Sequence, residues 1–173
     1  MKRLFTLTLS ILIVILATGT VFALSDTTAH DVTMQVNEVS LIDLNNVTAI
    51  NLTTNAPASG GEDPTGDTDN SQLLQYTSLA AAGLTRNITA QWGATDTAPA
   101  GTSLKLEATS VPAGCGTAAA QVTLSNVAQN LVTGIGSCAT GTGANGAALT
   151  YTFSIDTVGS LVVGETQTVT VTF

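Results

Sequence analysis

Apolar and hydroxyl-bearing residues alternate along most of this chain, most clearly in its closing stretch, Gln167-Thr168-Val169-Thr170-Val171-Thr172-Phe173. A β-strand repeats its faces every two residues, so Val169, Val171 and Phe173 share one face and the threonines the other. Such a strand needs a sheet to pair with, in the same molecule or in another, because alone it leaves its backbone and its apolar face unsatisfied. The same period runs through residues 31–38, with Val32, Met34 and Val36 on one side. It slips by one residue at Val39 and Leu41 and back at Ile42 and Leu44. A slip in a period of two exchanges the faces, which predicts a bulge or a crossing between sheets near Glu38.

Further strands follow from the same pattern. Residues 47–54 place Ile50 and Leu52 inward, residues 73–79 place Leu74, Tyr76 and Ser78 together, and residues 86–92 do the same with Ile88, Ala90 and Trp92. In residues 103–109, Leu104, Leu106 and Ala108 oppose Lys105 and Glu107. Short strands are expected at 121–125 and 130–135, and a longer one at 149–156 with Tyr151, Phe153 and Ile155 on one face. Residues 55–71 are rich in Gly, Pro and Asp and carry no apolar period, so they read as a long loop. Ala80-Ala81-Ala82 is stopped by Gly83 before a helical turn is complete. β-branched residues favour strands over helices. The sum predicts an all-β protein, an antiparallel immunoglobulin-like β-sandwich of about 8–10 strands.

The first residues change the picture of where this domain resides. Lys2-Arg3 followed by an uncharged apolar run to about Ala23 has the form of a secretory signal peptide. Small residues at Val21-Phe22-Ala23 predict cleavage after Ala23, and Ala23-Leu24-Ser25 offers a second register, after Ser25. Residues 1–23 are therefore expected to be a removable leader and residues 24–173 a single secreted or cell-surface domain, with no membrane contact after cleavage. Losing Lys2 and Arg3 makes the formal charge of −8 two units more negative, leaving Arg86 and Lys105 against twelve acids. Such a surface repels phosphate backbones, which argues against nucleic acid as a partner. Cys115 and Cys138, the two cysteines of the chain, are expected to form a disulfide in an oxidising compartment.

Candidate chemistry is sparse. Nucleophilic hydrolysis needs a base positioned beside the nucleophile. His30, the one histidine, lies near the expected cleavage region and reads as a solvated residue. Lys105 beside Glu107 reads as a surface ion pair. No Gly-x-Ser-x-Gly, phosphate loop or HExxH occurs. No catalytic residue and no cofactor are expected, and the chain is not read as an enzyme. The loop segment holding Glu62, Asp63, Asp67 and Asp69 could offer hard oxygens to calcium, with Asp63, Asp67 and Asp69 as candidate ligands, although the spacing is not that of an EF-hand. As a solvated loop, the same acids would serve solubility. A sugar platform needs exposed aromatics, whereas Trp92, Tyr151, Phe153 and Phe173 fall on apolar strand faces and Tyr76 is open to either reading. Asn46, Asn51 and Asn87 begin Asn-x-Thr triplets, which accept glycans only in a eukaryotic secretory route.

With its signal peptide, Thr-Val alternation, few aromatics and the closing Thr168-Val169-Thr170-Val171-Thr172-Phe173, the chain resembles bacterial secreted β-sandwich surface proteins of the pilin and spore-coat type. The resemblance implies β-strand addition between subunits, in which an N-terminal extension completes a neighbour, here residues 31–38. The expectation is a structural protein that associates with itself or with other surface proteins. Val32, Met34 and Val36, or Val169, Val171 and Phe173, would carry the pairing into a pilus-like filament. The alternative is a monomeric extracellular module that binds a glycan or calcium through residues 62–69.

Overall fold

The computed structural model describes residues 29–173, so the expected leader and both of its cleavage registers lie outside the described residues. The chain divides into two units, Met1–Gln35 and Val36–Phe173. Residues 29–35 of the first form neither helix nor strand and are exposed.

The second unit is built almost wholly of strands. They are β1 (Val39–Leu44), β2 (Thr68–Leu79), β3 (Arg86–Trp92), β4 (Thr102–Thr109), β5 (Thr117–Ala118), β6 (Val122–Thr123), β7 (Gln129–Ile135), β8 (Cys138–Ala139), β9 (Ala147–Ile155) and β10 (Val171–Thr172). A single 3₁₀ turn, Val158–Ser160, separates β9 from β10. Every strand pairing is antiparallel. The larger sheet has the order β1-β2-β9-β4-β6, with β8 also on β2, and the smaller has the order β10-β3-β7-β5. This is the all-β, sandwich-like architecture that the alternation predicts.

Each sheet turns one face to a shared core. Leu74, Leu106 and Leu149 come from the larger sheet and Ala90, Leu131, Val132 and Ile135 from the smaller, all of them buried in one cluster. Burying each leucine contributes about 1.5–3 kcal/mol. Two links join the layers covalently and by hydrogen bond. Cys115, just before β5, is bonded to Cys138, which opens β8 on the other sheet, with 5.4 Å between their Cα atoms. From β2, the Tyr76 hydroxyl donates to the carbonyl of Cys115 at 2.7 Å. The long loop closes against β9 at Gly66, where a Cβ would lie 1.6 Å from the Phe153 carbonyl oxygen. Only glycine permits that approach, and beside it Phe153 N–H donates to Asp67 O at 2.9 Å.

Several expected elements take another form. Residues 31–38 form no strand. Residues 47–54 form none either, although Ile50 and Leu52 do pack against the core. At the start of this segment Asn46 Oδ1 accepts from Thr48 N–H at 2.6 Å, a local side-chain bond of the kind that competes with a ladder. No bulge occurs at the start of β1, whose register with β2 runs unbroken from Val39↔Leu79 to Leu44↔Leu74. Register shifts lie instead between Asp69 and Gln72 of β2 and between Arg86 and Thr89 of β3. The slip in apolar phase has a different origin. β1 closes the larger sheet, and Leu41 is on its outer face, 67% exposed. The closing stretch keeps a ladder only over β10, pairing Val171↔Trp92 and Thr172↔Gln91.

Candidate functional site

The part of the molecule least explained by core packing is the side where β1 and β2 of one sheet meet β3 of the other. β2 presents Leu74, Tyr76 and Ser78 inward, all buried, and the register places Leu44, Ile42 and Ser40 beside them. β3 presents Ile88 toward the same space. Between them lies a groove of about 210 Å³, lined chiefly by Leu41, Ile42, Tyr76, Ile88, Ile135 and Phe173.

Two features mark this groove. Arg86 bridges its mouth, donating from Nη1 to the Val39 carbonyl at 3.2 Å and from Nη2 to Glu38 Oε2 at 3.1 Å. Ser78 lines the groove with its side chain 4% exposed, and its Oγ has no hydrogen-bond partner among the described residues. A buried hydroxyl costs on the order of 1–3 kcal/mol when it has no partner of any kind. β10 pairs with only Gln91 and Trp92 of β3. Along that edge, residues 86–90 carry no partner strand among the described residues.

The closing stretch sits beside the groove rather than projecting from it. Val171 and Phe173 are half-buried against the core, and Val169 is also partly covered. Asp96 holds the approach to β10, accepting from Gly93 N–H at 3.0 Å and from Thr170 N–H at 2.9 Å. The sequence pattern marked the apolar face of this stretch, but a side-chain cap from a distant turn carries no periodic signal.

At the other end, Val32, Met34 and Val36 are 68%, 89% and 85% exposed. The same alternation thus produces one stretch paired within the molecule and one without a sheet.

The acidic loop does not gather a ligand shell. Asp67 Oδ1 accepts from Thr68 N–H at 2.8 Å, and Asp69 Oδ1 accepts from Ser71 N–H at 2.9 Å and Ser71 Oγ at 2.7 Å. Glu62 Oε2 accepts from Ser59 N–H at 3.2 Å, and Asp63 is exposed. Two of the three candidate ligands are therefore engaged with their own loop. Among the described residues, no group of three or more His, Cys, Asp or Glu is placed to hold a metal.

Other candidates fall to structural roles. His30 is exposed. Lys105 and Glu107 form no ion pair among the described residues. Among the described residues, the ion pair is Arg86–Glu38. Tyr76 is buried, so it offers no sugar platform. Burial raises its phenol above the usual value, and burial with the Asp69 charge pushes Tyr151 up to about 12. Asn46 is partly covered, whereas Asn51 and Asn87 are exposed. Asn87 Oδ1 accepts from Gly134 N–H at 3.2 Å. Among the described residues, no helix is long and apolar enough to cross a membrane. No known protein family, curated protein or solved structure matches this chain.

Proposed function

We propose that this chain is an exported, non-enzymatic structural protein with an immunoglobulin-like sandwich, which associates with itself at the cell surface by adding a strand from one copy to the next. The observation that carries the reading is the exposed stretch with Val32, Met34 and Val36. Three apolar side chains at strand spacing stay in water, a disposition that marks an interaction surface. The groove beside β3 supplies a matching acceptor. It is apolar, it borders the uncovered edge of residues 86–90, and it holds the unpartnered Ser78 hydroxyl. Strand addition satisfies such an edge through main-chain hydrogen bonds, while alternate side chains fill the pockets. The disulfide between Cys115 and Cys138 fits an oxidising compartment. Because Val171 and Phe173 are spent on this molecule's own core, the N-terminal stretch is the donor in this reading.

Electron microscopy and sedimentation of the purified exported chain test it. Polymers are expected, and the triple substitution Val32→Asp, Met34→Asp, Val36→Asp is expected to abolish them. A monodisperse monomer at every concentration overturns the reading.

A further inference from the structure

Four strands end the two sheet paths, and three of them, β5, β6 and β10, are two residues long, with β8 a fourth two-residue strand on β2 and residues 86–90 of β3 left open beyond β10. Short edge strands protect a sheet from pairing with another chain. β1 is the exception, with six residues, Val-Ser-Leu-Ile-Asp-Leu, in unbroken register with β2. It contains no proline, no lysine and no bulge, and its one charged side chain is Asp43 near its far end. Leu41 is 67% exposed and Ile42 44% exposed.

The backbone direction of β1 follows from its neighbours. Asn45 N–H donates to Leu73 O at 3.0 Å, and on the opposite side of β2 Thr140 N–H donates to Tyr76 O at 3.0 Å. Hydrogen-bonded and non-bonded pairs alternate along an antiparallel ladder. Residues 39, 41 and 43 therefore bond to β2, and the N–H and C=O groups of Ser40 and Ile42 point away from the sheet. No hydrogen bond fills these groups among the described residues. Leu44 N–H, the next outward donor, is taken by Asp43 Oδ1 at 2.8 Å, which ends the open edge there.

We propose that β1 is a dimerisation edge, pairing antiparallel with β1 of a second copy about a two-fold axis at Leu41, so that the larger sheet runs continuously through both molecules. The proposal rests on the reading that the chain self-associates, and it adds a second, isologous contact to it. The register is set by the outward groups. An axis at Leu41 places Ser40 opposite Ile42 of the second copy, and every outward N–H and C=O of these two residues gains a partner. An axis at Ile42 would set Ser40 against Leu44, whose N–H is already occupied. An axis between two residues would oppose outward groups to inward ones and form no ladder. The Leu41 axis also brings the two Leu41 side chains face to face on the outer surface, at the closer, non-bonded kind of pair. It sets Asp43 opposite Val39 and keeps the two carboxylates apart. A two-fold contact closes with two copies, whereas strand donation is head-to-tail and open, so the two contacts differ in symmetry although β1 residues 40–42 border both.

Three variants of the full exported chain test this, read by sedimentation velocity and non-reducing electrophoresis. Leu41→Cys is expected to link into a disulfide dimer in high yield under air, and Asp43→Cys to stay unlinked, because the axis separates its two copies. Ser40→Pro removes an N–H that β2 does not use and is expected to halve the mass of the smallest associated species. Association that ignores Ser40→Pro, with no Leu41→Cys dimer, overturns the edge and leaves strand donation standing. Closed dimers that the triple Asp substitution does not disturb support the edge and overturn the filament reading. A monomer throughout overturns both.

Discussion

Two stretches of this chain carry the same alternation and meet different fates. Residues 31–38 set Val32, Met34 and Val36 at strand spacing, and residues 167–173 do the same with Val169, Val171 and Phe173. The second stretch pairs with β3 over β10, is held at Thr170 by Asp96, and lays Val171 and Phe173 on the core. The first forms no strand, and its three apolar side chains remain exposed. Alternation therefore specifies a face but not a partner. What separates the two is an acceptor: the closing stretch has a vacant edge on β3 and a carboxylate placed to receive its backbone.

The comparison can be strained from either side. The largest effect is expected from the link between the sheets on which the closing stretch lies. Reducing Cys115–Cys138, or replacing both residues with serine, is expected to cost about 3 kcal/mol in denaturant melts. Hydrogen exchange at Val171 and Thr172 should speed up while residues 31–36 stay unchanged.

High pH reaches the same core without touching either terminus. The Tyr151 phenol titrates at about 12 in the fold and near 10 in the unfolded chain. Since the folded state holds the proton more tightly, stability is full below pH 10 and falls between pH 10 and 12. The loss is on the order of 2–3 kcal/mol. Tyr151→Phe is expected to flatten that part of the pH–stability curve.

Phe173→Ala removes the half-buried ring that ends the closing stretch, with an expected loss of about 2 kcal/mol, less than for a fully buried phenylalanine. Asp96→Ala unties Gly93 and Thr170 and is expected to cost about 1 kcal/mol. Its signature is exchange confined to residues 169–172, measured by mass spectrometry. At the small end, Val32→Ser, Met34→Ser and Val36→Ser are each expected to change the monomer's unfolding free energy by less than about 0.5 kcal/mol. A large loss at any of them would show that the exposed stretch is held by the fold after all, and the contrast between the two termini would disappear.

Much of the fold could be read without coordinates. The inward sets Leu74, Tyr76 and Ser78, Ile88, Ala90 and Trp92, and Leu104, Leu106 and Ala108 follow from a period of two, and all lie on core-facing strand positions. The Cys115–Cys138 bond followed from there being two cysteines behind a leader-like opening run. Residues 47–54 misled because Ile50 and Leu52 pack inward although the segment pairs with no strand, so burial was legible and pairing was not. The groove and the β1 edge were not legible. They depend on which strands lie side by side, and the phase slip at Val39–Ile42 looked like a bulge when it is an edge strand with apolar residues on both faces.

By itself the sequence determined the class of structure, the inward residues and the covalent link, because a period of two and a cysteine pair are local or countable properties. Tertiary structure alone decided which strands became edges, how long each edge is, and which of two like-patterned termini found a place on the core. Those outcomes depend on residues far apart in the chain, as Asp96 with Thr170 and Arg86 with Val39 illustrate, and only folding brings such pairs within hydrogen-bonding distance.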